Sequence, residues 1–436
     1  MKQYIITLLI AGLLFSPLFA KEITITADYA VELALQNHID IKTAQISLEQ
    51  NRRSYAHSWN NVLPDVSATG TASETRTYSS SDTDKSSLKA GVSASLSLDF
   101  GLADKIKQLK AEYNSGKISY DDTVRSTQTA VLQSFYNLLY LKEKVEAAKS
   151  TCESYQRQYD QILAKAKRGV SNELDLLTAR VNLETSKPDA DNAEKTYLNE
   201  LVSFLNTIGL SVEPDTTVIL DGSLDYADKL GEINKTQIIE TCESTSSEVL
   251  QLEEKIKASK YSKKSTASQL YLPSVNVTAS AYPYNWQNEK ITDTTSNTPN
   301  WTVSLGVSLP LSSWIPGSSS KDSVAKIDDT IKTYELQLEN TKKSVRTKVI
   351  EKIKNIELSQ KTLKARKMNV ELAEKSYQMT EDAYNRGTKD LLTLQKSLDT
   401  LQNAKLQLSE EQYTLISNVL ALENTLSLPS GSLFNN

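Results

Sequence analysis

Two stretches of the chain alternate apolar and polar residues with a period of two. In SLKAGVSASLSLDF, residues 87–100, the even positions hold Leu88, Ala90, Val92, Ala94, Leu96, Leu98 and Phe100. The odd positions hold Ser87, Lys89, Gly91, Ser93, Ser95, Ser97 and Asp99. In 301–311, Trp301, Val303, Leu305, Val307, Leu309 and Leu311 alternate with Thr302, Ser304, Gly306, Ser308 and Pro310. This period predicts β-strands with one apolar face and one small, hydroxylated face. Partner strands are expected around 65–77 and 274–284, where the alternation is weaker. Each strand has about 10–13 residues, the length that crosses a bilayer at a tilt. Aromatics cluster near the strand ends (Tyr271, Tyr282, Tyr284, Trp286, Trp301, Trp314), as in an interfacial girdle. The loops 79–85 and 288–300 are rich in Ser, Thr, Asp and Asn, which fits an exterior surface. The competing expectation is a half-buried soluble sandwich, but the polar face carries few charges.

Elsewhere the pattern is helical. Residues 321–386 contain neither Gly nor Pro, and 104–168 match that length with only Gly116 inside. At about 1.5 Å per residue each run is roughly 100 Å of helix, and helices of that length pack lengthwise on others. After Gly387 a ladder continues through Leu391, Leu394, Leu398, Leu401, Leu408, Leu415, Val419, Leu422 and Leu426, with Lys405 and Gln412 on the skipped rungs. Its alternating steps of three and four imply supercoiled partners. Pro188 is expected to kink or restart the helix after the first turn.

The plan occurs twice. Leu63-Pro64 and Leu272-Pro273 stand 209 residues apart, and Arg168-Gly169 and Arg386-Gly387 stand 218 apart. Each half reads helix, strand, loop, strand, very long helix, Arg-Gly turn, helix, which indicates a duplicated unit. The expected divisions are 1–20, 21–208 as the first repeat, 209–236 as a linker, 237–428 as the second repeat, and 429–436 as a tail.

Composition narrows the class. Residues 1–20, MKQYIITLLIAGLLFSPLFA, have the form of a secretory signal peptide. Beyond it no stretch is long and apolar enough for a transmembrane helix. A formal net charge of −5 argues against nucleic acid as a partner. Cys152 and Cys242 are read as unpaired thiols, with a disulfide as the alternative in an exported protein. Four strands per chain cannot close a membrane barrel, and open edges in lipid cost several kcal/mol per unpaired group. Strands must then pair across subunits, and three chains would give twelve.

These features together resemble the TolC family of trimeric outer-membrane efflux proteins. The resemblance covers nearly the whole mature chain and rests on the Leu-Pro strand entries, the strand pairs, and the segments RGVSNELDLLTAR and YNRGTKDLLTLQKSL. It implies a mainly α fold with membrane β: a homotrimer whose 12-strand outer-membrane barrel, four strands per chain, continues into a long α-helical barrel of coiled-coil hairpins in the periplasm. It implies a passive exit duct for efflux or type I secretion. The implied partners are a periplasmic adaptor, an inner-membrane pump of RND, ABC or MFS type, and outer-membrane lipid. No cofactor is expected. The implied layout places the two cysteines about 20 Å apart in height, too far for a disulfide.

The resemblance also assigns residues. Asp175, Tyr384 and Lys389 match positions that latch the periplasmic entrance between neighbouring hairpins. Thr393 and Lys396 stand where the family's type member carries two aspartate rings, so the entrance constriction here would favour cations less. Asp390 is nearby and would offer a carboxylate ring instead. Arg168, Gly169, Arg386 and Gly387 form the hairpin turns, where adaptors dock in the family. Glycine suits a positive-φ C-cap, and an arginine suits the negative end of a helix. An enzyme is not expected, because the only histidines are His38 and His57 and no nucleophile, phosphate-loop or zinc motif appears. The alternative function is a soluble periplasmic coiled-coil scaffold.

Overall fold

A computed structural model describes residues 22–75, 85–169, 172–211, 217–231, 233–288 and 297–434. The expected signal peptide and most of the two strand loops lie outside the described residues. The chain forms two compact units, each drawing on both sequence halves. The first takes the described parts of Met1–Thr43, Asp122–Glu243 and Val345–Asn436, and the second takes those of Ala44–Asp121 and Ser244–Ser344. No helix among the described residues is long and apolar enough to cross a membrane.

The second unit carries a four-stranded antiparallel sheet. Its strands are β2 (Asp65–Thr75), β3 (Lys85–Leu98), β5 (Ser274–Asn288) and β6 (Asn300–Ser308), in the order β2-β3-β5-β6. The edge strands β2 and β6 are exposed along their whole length. Register places Val66, Val92, Ala279 and Val303 on one face and Ser67, Ser93, Ser280 and Thr302 on the other. Hydroxyls on the polar face pair across strands, Ser67 with Ser93 at 2.9 Å and Ser73 with Ser87 at 2.7 Å. The last strand ends at Ser308, sooner than its alternation predicts. Pro310, with no N–H for the ladder, precedes a 3₁₀ turn at Leu311–Trp314.

The weak alternation of β5 has a structural cause. Ala90 pairs with Tyr284, yet Val92 pairs with Ala281, so β5 carries one extra residue there. Below this bulge Val275, Val277, Ala279 and Ala281 share the apolar face. Above it the parity flips, so that Tyr284 and Trp286 continue that face beside Ala90 and Leu88. A period-two reading of the sequence blurs across the insertion.

The helices are α1 (Ala27–Asn37), α2 (Ile39–Ala56), α3 (Leu102–Lys167), α4 (Glu173–Thr207), α5 (Lys235–Thr245), α6 (Ser247–Tyr271), α7 (Ser319–Asn385) and α8 (Leu391–Thr425), of which α3, α4, α7 and α8 are the long ones. Gly116 lies mid-helix in α3 where Asn51 crosses closely, and a Cβ there would come within 2.6 Å of the Asn51 amide. α4 runs through Pro188 as one helix, so the chain does not restart there. Proline removes one helical hydrogen bond and costs about 3 kcal/mol. Burial of Leu183, Ser186 and Ala190 on either side holds the helix together, and the Ser186 hydroxyl donates to the Leu183 carbonyl at 2.9 Å. Every leucine and valine of the α8 ladder is buried except Leu408, which is half-buried.

In the first unit β1 (Glu22–Thr26) pairs in parallel with β4 (Thr217–Asp221). A 3₁₀ turn at Leu224–Lys229 then packs on α8. Phe135 meets Phe204, while Tyr226 lies between Tyr136 and Phe434. The skipped rung Gln412 is buried and donates to Asp225 at 3.1 Å. Glu423 is fully buried. It accepts from the N–H groups of Gly431 (2.7 Å) and Leu433 (2.6 Å) and from the Ser432 hydroxyl (3.3 Å). Burial pushes its carboxyl up, and these donors pull it back. The tail is thereby tied to the linker, where Gly231 N–H donates to Leu433 at 3.1 Å.

Glu423→Ala is expected to leave three donors without their acceptor and to lower stability by about 2–4 kcal/mol. Glu423→Gln, which keeps one carbonyl acceptor, is expected to cost less. Thermal denaturation together with protease nicking of the 429–434 segment checks both; equal stability of wild type and Glu423→Ala would remove the clamp from the account.

Candidate functional site

The two Arg-Gly turns are built alike. Gly169 and Gly387 both adopt φ of 75°, a left-handed conformation that glycine takes without a Cβ penalty. Nothing crowds either glycine, so the requirement is backbone conformation rather than space. Gly169 N–H donates to Ala166 and Gly387 N–H to Tyr384, each at 2.9 Å, and Thr388 N–H closes the second turn on Ala383 at 2.9 Å. Arg168 Nε donates to the Ala164 carbonyl at 3.1 Å, and Arg386 Nε to the Asp382 carbonyl at 3.2 Å. Each arginine satisfies a terminal carbonyl and sets its charge at the negative end of the helix dipole.

The returning helices start with matched caps. Asn172 accepts from Asp175 N–H at 2.7 Å, and Asp390 accepts from Thr393 N–H at 2.8 Å. Both caps stand three residues after the turn glycine and accept from the N–H three residues on. Hydrogen bonds from Thr393, with Lys389 beside them, hold the Asp390 carboxyl below its usual range. Asp390, expected as an alternative constriction carboxylate, also caps the start of α8. The signal for it was present in the sequence, as an Asx residue between a glycine and a leucine run.

The turns meet in one cluster. Ile162 of α3, Ala179 of α4 and Leu391 of α8 are buried together, with Tyr159, Leu176 and Tyr384 packed against them. The Tyr384 ring also lies under Lys165 Nζ, at 5.1 Å. Of the three expected latch residues, the structure gives Tyr384 a packing role within the chain. Asp175 is half-buried, Lys389 is exposed, and no ion pair joins them among the described residues. Thr393 lies at the first turn of α8, and Lys396 is exposed one turn on. Three residues further along α8, the Tyr155 phenol donates to Asp399 at 2.6 Å, tying α3 to α8. Burial pushes the phenol up, which keeps it a donor.

The two caps can be told apart by pH. The lowered Asp390 carboxyl contributes stability that is present above the ordinary carboxylate pKa of about 3.9 and lost as pH falls through its folded value. Asp390→Asn, which copies Asn172, is expected to keep amide protection over 391–393 and to hold it in acid. Asp390→Ala is expected to lose that protection at every pH. Hydrogen exchange read at those amides decides, and indifference to the alanine would remove the cap.

Comparison with known proteins identifies the group to which this geometry belongs. The model of the outer membrane efflux protein family matches residues 30–210 and 239–427. The probable efflux pump outer membrane protein TtgC of Pseudomonas putida is 23% identical over 265 residues, 58% of this chain and 52% of the relative. This match spans about half the length of that relative. The fold is shared with the CmeC outer membrane channel of Campylobacter jejuni, at TM-score 0.78 and 16% identity, over 94% of this chain and 86% of that one. It is also shared with the open state of the Neisseria gonorrhoeae MtrE outer membrane channel, at TM-score 0.77 and 17% identity, over 92% and 89%. Efflux channels, not enzymes, make up the matching family, and this chain belongs to the outer membrane efflux protein family.

Proposed function

We propose that this chain is the outer-membrane exit duct of a tripartite efflux or type I secretion system, acting as a passive conduit. The observation that carries this reading is the sheet of the second unit. Its apolar face is exposed at Val92, Val303, Leu305 and Val307, and among the described residues its two outer strands have no neighbour on their outer sides. In lipid those edges need partners. Three copies joined edge to edge give a 12-strand barrel with the hydroxyl face turned to the lumen. A soluble scaffold would have no use for an apolar face of this extent.

The helices of the first unit favour the same assembly. Leu174, Leu177 and Val181 of α4 are exposed at spacings of three and four, and Leu358, Leu372 and Met379 of α7 at spacings of fourteen and seven, which are seams for neighbouring helices. A homotrimer would cover them in a helical barrel projecting into the periplasm. The expected partners are a periplasmic adaptor docking around Gly169 and Gly387 and an inner-membrane pump. Asp175 and Lys389 would meet between neighbouring copies, an exposed pair worth about 0–1 kcal/mol, weak enough for an adaptor to break. Thr393 and Lys396 would line the entrance, the lysines favouring anions.

Two measurements test this. The protein is expected to stay with outer membranes through high-salt and carbonate washes and to emerge in detergent with the mass of a trimer; release by salt alone would sink the duct. Asp175→Ala combined with Lys389→Ala is expected to admit bulky antibiotics into intact cells, with expression unchanged. Cells as resistant as those carrying the wild type would reject the latch.

A further inference from the structure

We infer that Lys89 is a selectivity-determining residue of the strand-lined passage and draws small anions into it. This rests on the barrel reading, in which the hydroxyl face looks into the lumen. The register defines the composition of that face. β2 contributes Asp65, Ser67, Thr69, Thr71, Ser73 and Thr75, and β3 contributes Lys85, Ser87, Lys89, Gly91, Ser93, Ser95 and Ser97. β5 supplies Asn276, Thr278 and Ser280, then Tyr282, and after the bulge Asn285 and Gln287. β6 supplies Asn300, Thr302, Ser304, Gly306 and Ser308. Of these residues only Asp65, Lys85 and Lys89 carry charge. Asp65 and Lys85 are terminal residues of their strands, whereas Lys89 lies within the face, level with Thr71 and Asn285.

The bulge determines this arrangement. Without its extra residue Tyr284 and Trp286 would fall on the hydroxyl face beside Lys89 and Ser87. With it, the amide of Asn285 takes that level. Gly91, two residues below Lys89 on the same face, has no room for a side chain. A Cβ there would lie 2.2 Å from the Ala281 carbonyl and 2.7 Å from the Tyr282 ring. Tyr282 therefore lies over Gly91, and Lys89 stands one step along the same face, where its cross-strand partners are Thr71 and Asn285. Lys89 is half-buried and has no salt bridge among the described residues. An ammonium with no carboxylate partner on a neutral polar wall keeps its field available to solutes, and rings of lysine select for anions in pores. Three copies would set three such charges at one level.

Reversal potentials of the purified full-length protein in planar bilayers, under a potassium chloride gradient, read this directly. Lys89→Gln is expected to move the reversal potential toward the potassium value, and Lys89→Glu to move it further. Both shifts should grow as salt falls from about 1 M to 0.1 M, where the screening length rises from about 3 to 10 Å. Lys89→Cys covers the case in which the glutamate disturbs assembly. Treating the assembled pore with a negatively charged thiol reagent should reproduce the glutamate shift, and a positively charged one should restore wild-type selectivity. A conducting Lys89→Gln or modified Lys89→Cys pore with the wild-type reversal potential overturns the assignment while leaving the duct intact. A wild type that washes off membranes and forms no pore overturns the duct itself, and this inference with it.

Discussion

A four-stranded sheet with two bare edges leaves rows of backbone N–H and C=O groups that must find partners. In water such edges invite association, and in a bilayer they are untenable. That constraint links the other features of the second unit. It explains why β2 and β6 are exposed along their whole length, why the apolar residues of the sheet form no core, and why only the polar face is laced by hydroxyl pairs. A strand system of this kind makes sense as part of a larger closed one. The exposed seams on α4 and α7 present the same problem in helical form.

The duplicated turns show which residues the backbone holds in place. At both turns the glycine has the same φ, the arginine reaches the same carbonyl four residues back, and an Asx cap stands three residues on. These positions serve local hydrogen bonds and tolerate few alternatives. Immediately beyond them the halves diverge, with Asp175 answered by Thr393. Asp175 is bound to its cap through its N–H, whereas Thr393 bonds Asp390 through its side chain as well as its N–H, so the second turn also engages the side chain that answers Asp175.

Buried polar groups in the first unit join segments far apart in the chain. Glu423 and Gln412 hold the tail and the linker against α8. Each would be costly to bury alone and is acceptable because its partners are supplied. They specify one docking of the linker where an apolar patch would permit several.

The sequence by itself determined the long helices, the two faces of β3 and β6, the α8 ladder and both glycine turns. Periodicity and positive φ are local properties, set by residues a few positions apart. Only the tertiary structure decided the rest. The bulge in β5 is visible only against β3, and it moves Tyr284 and Trp286 to the apolar face. The parallel pairing of β1 with β4 joins strands far apart in sequence. Pro188 remains helical because its neighbours are buried. Glu423 reads as a surface residue until its three donors are seen. In each case the deciding energy lies in burial or in a distant hydrogen-bond partner, and neither is written in the spacing of residues along the chain.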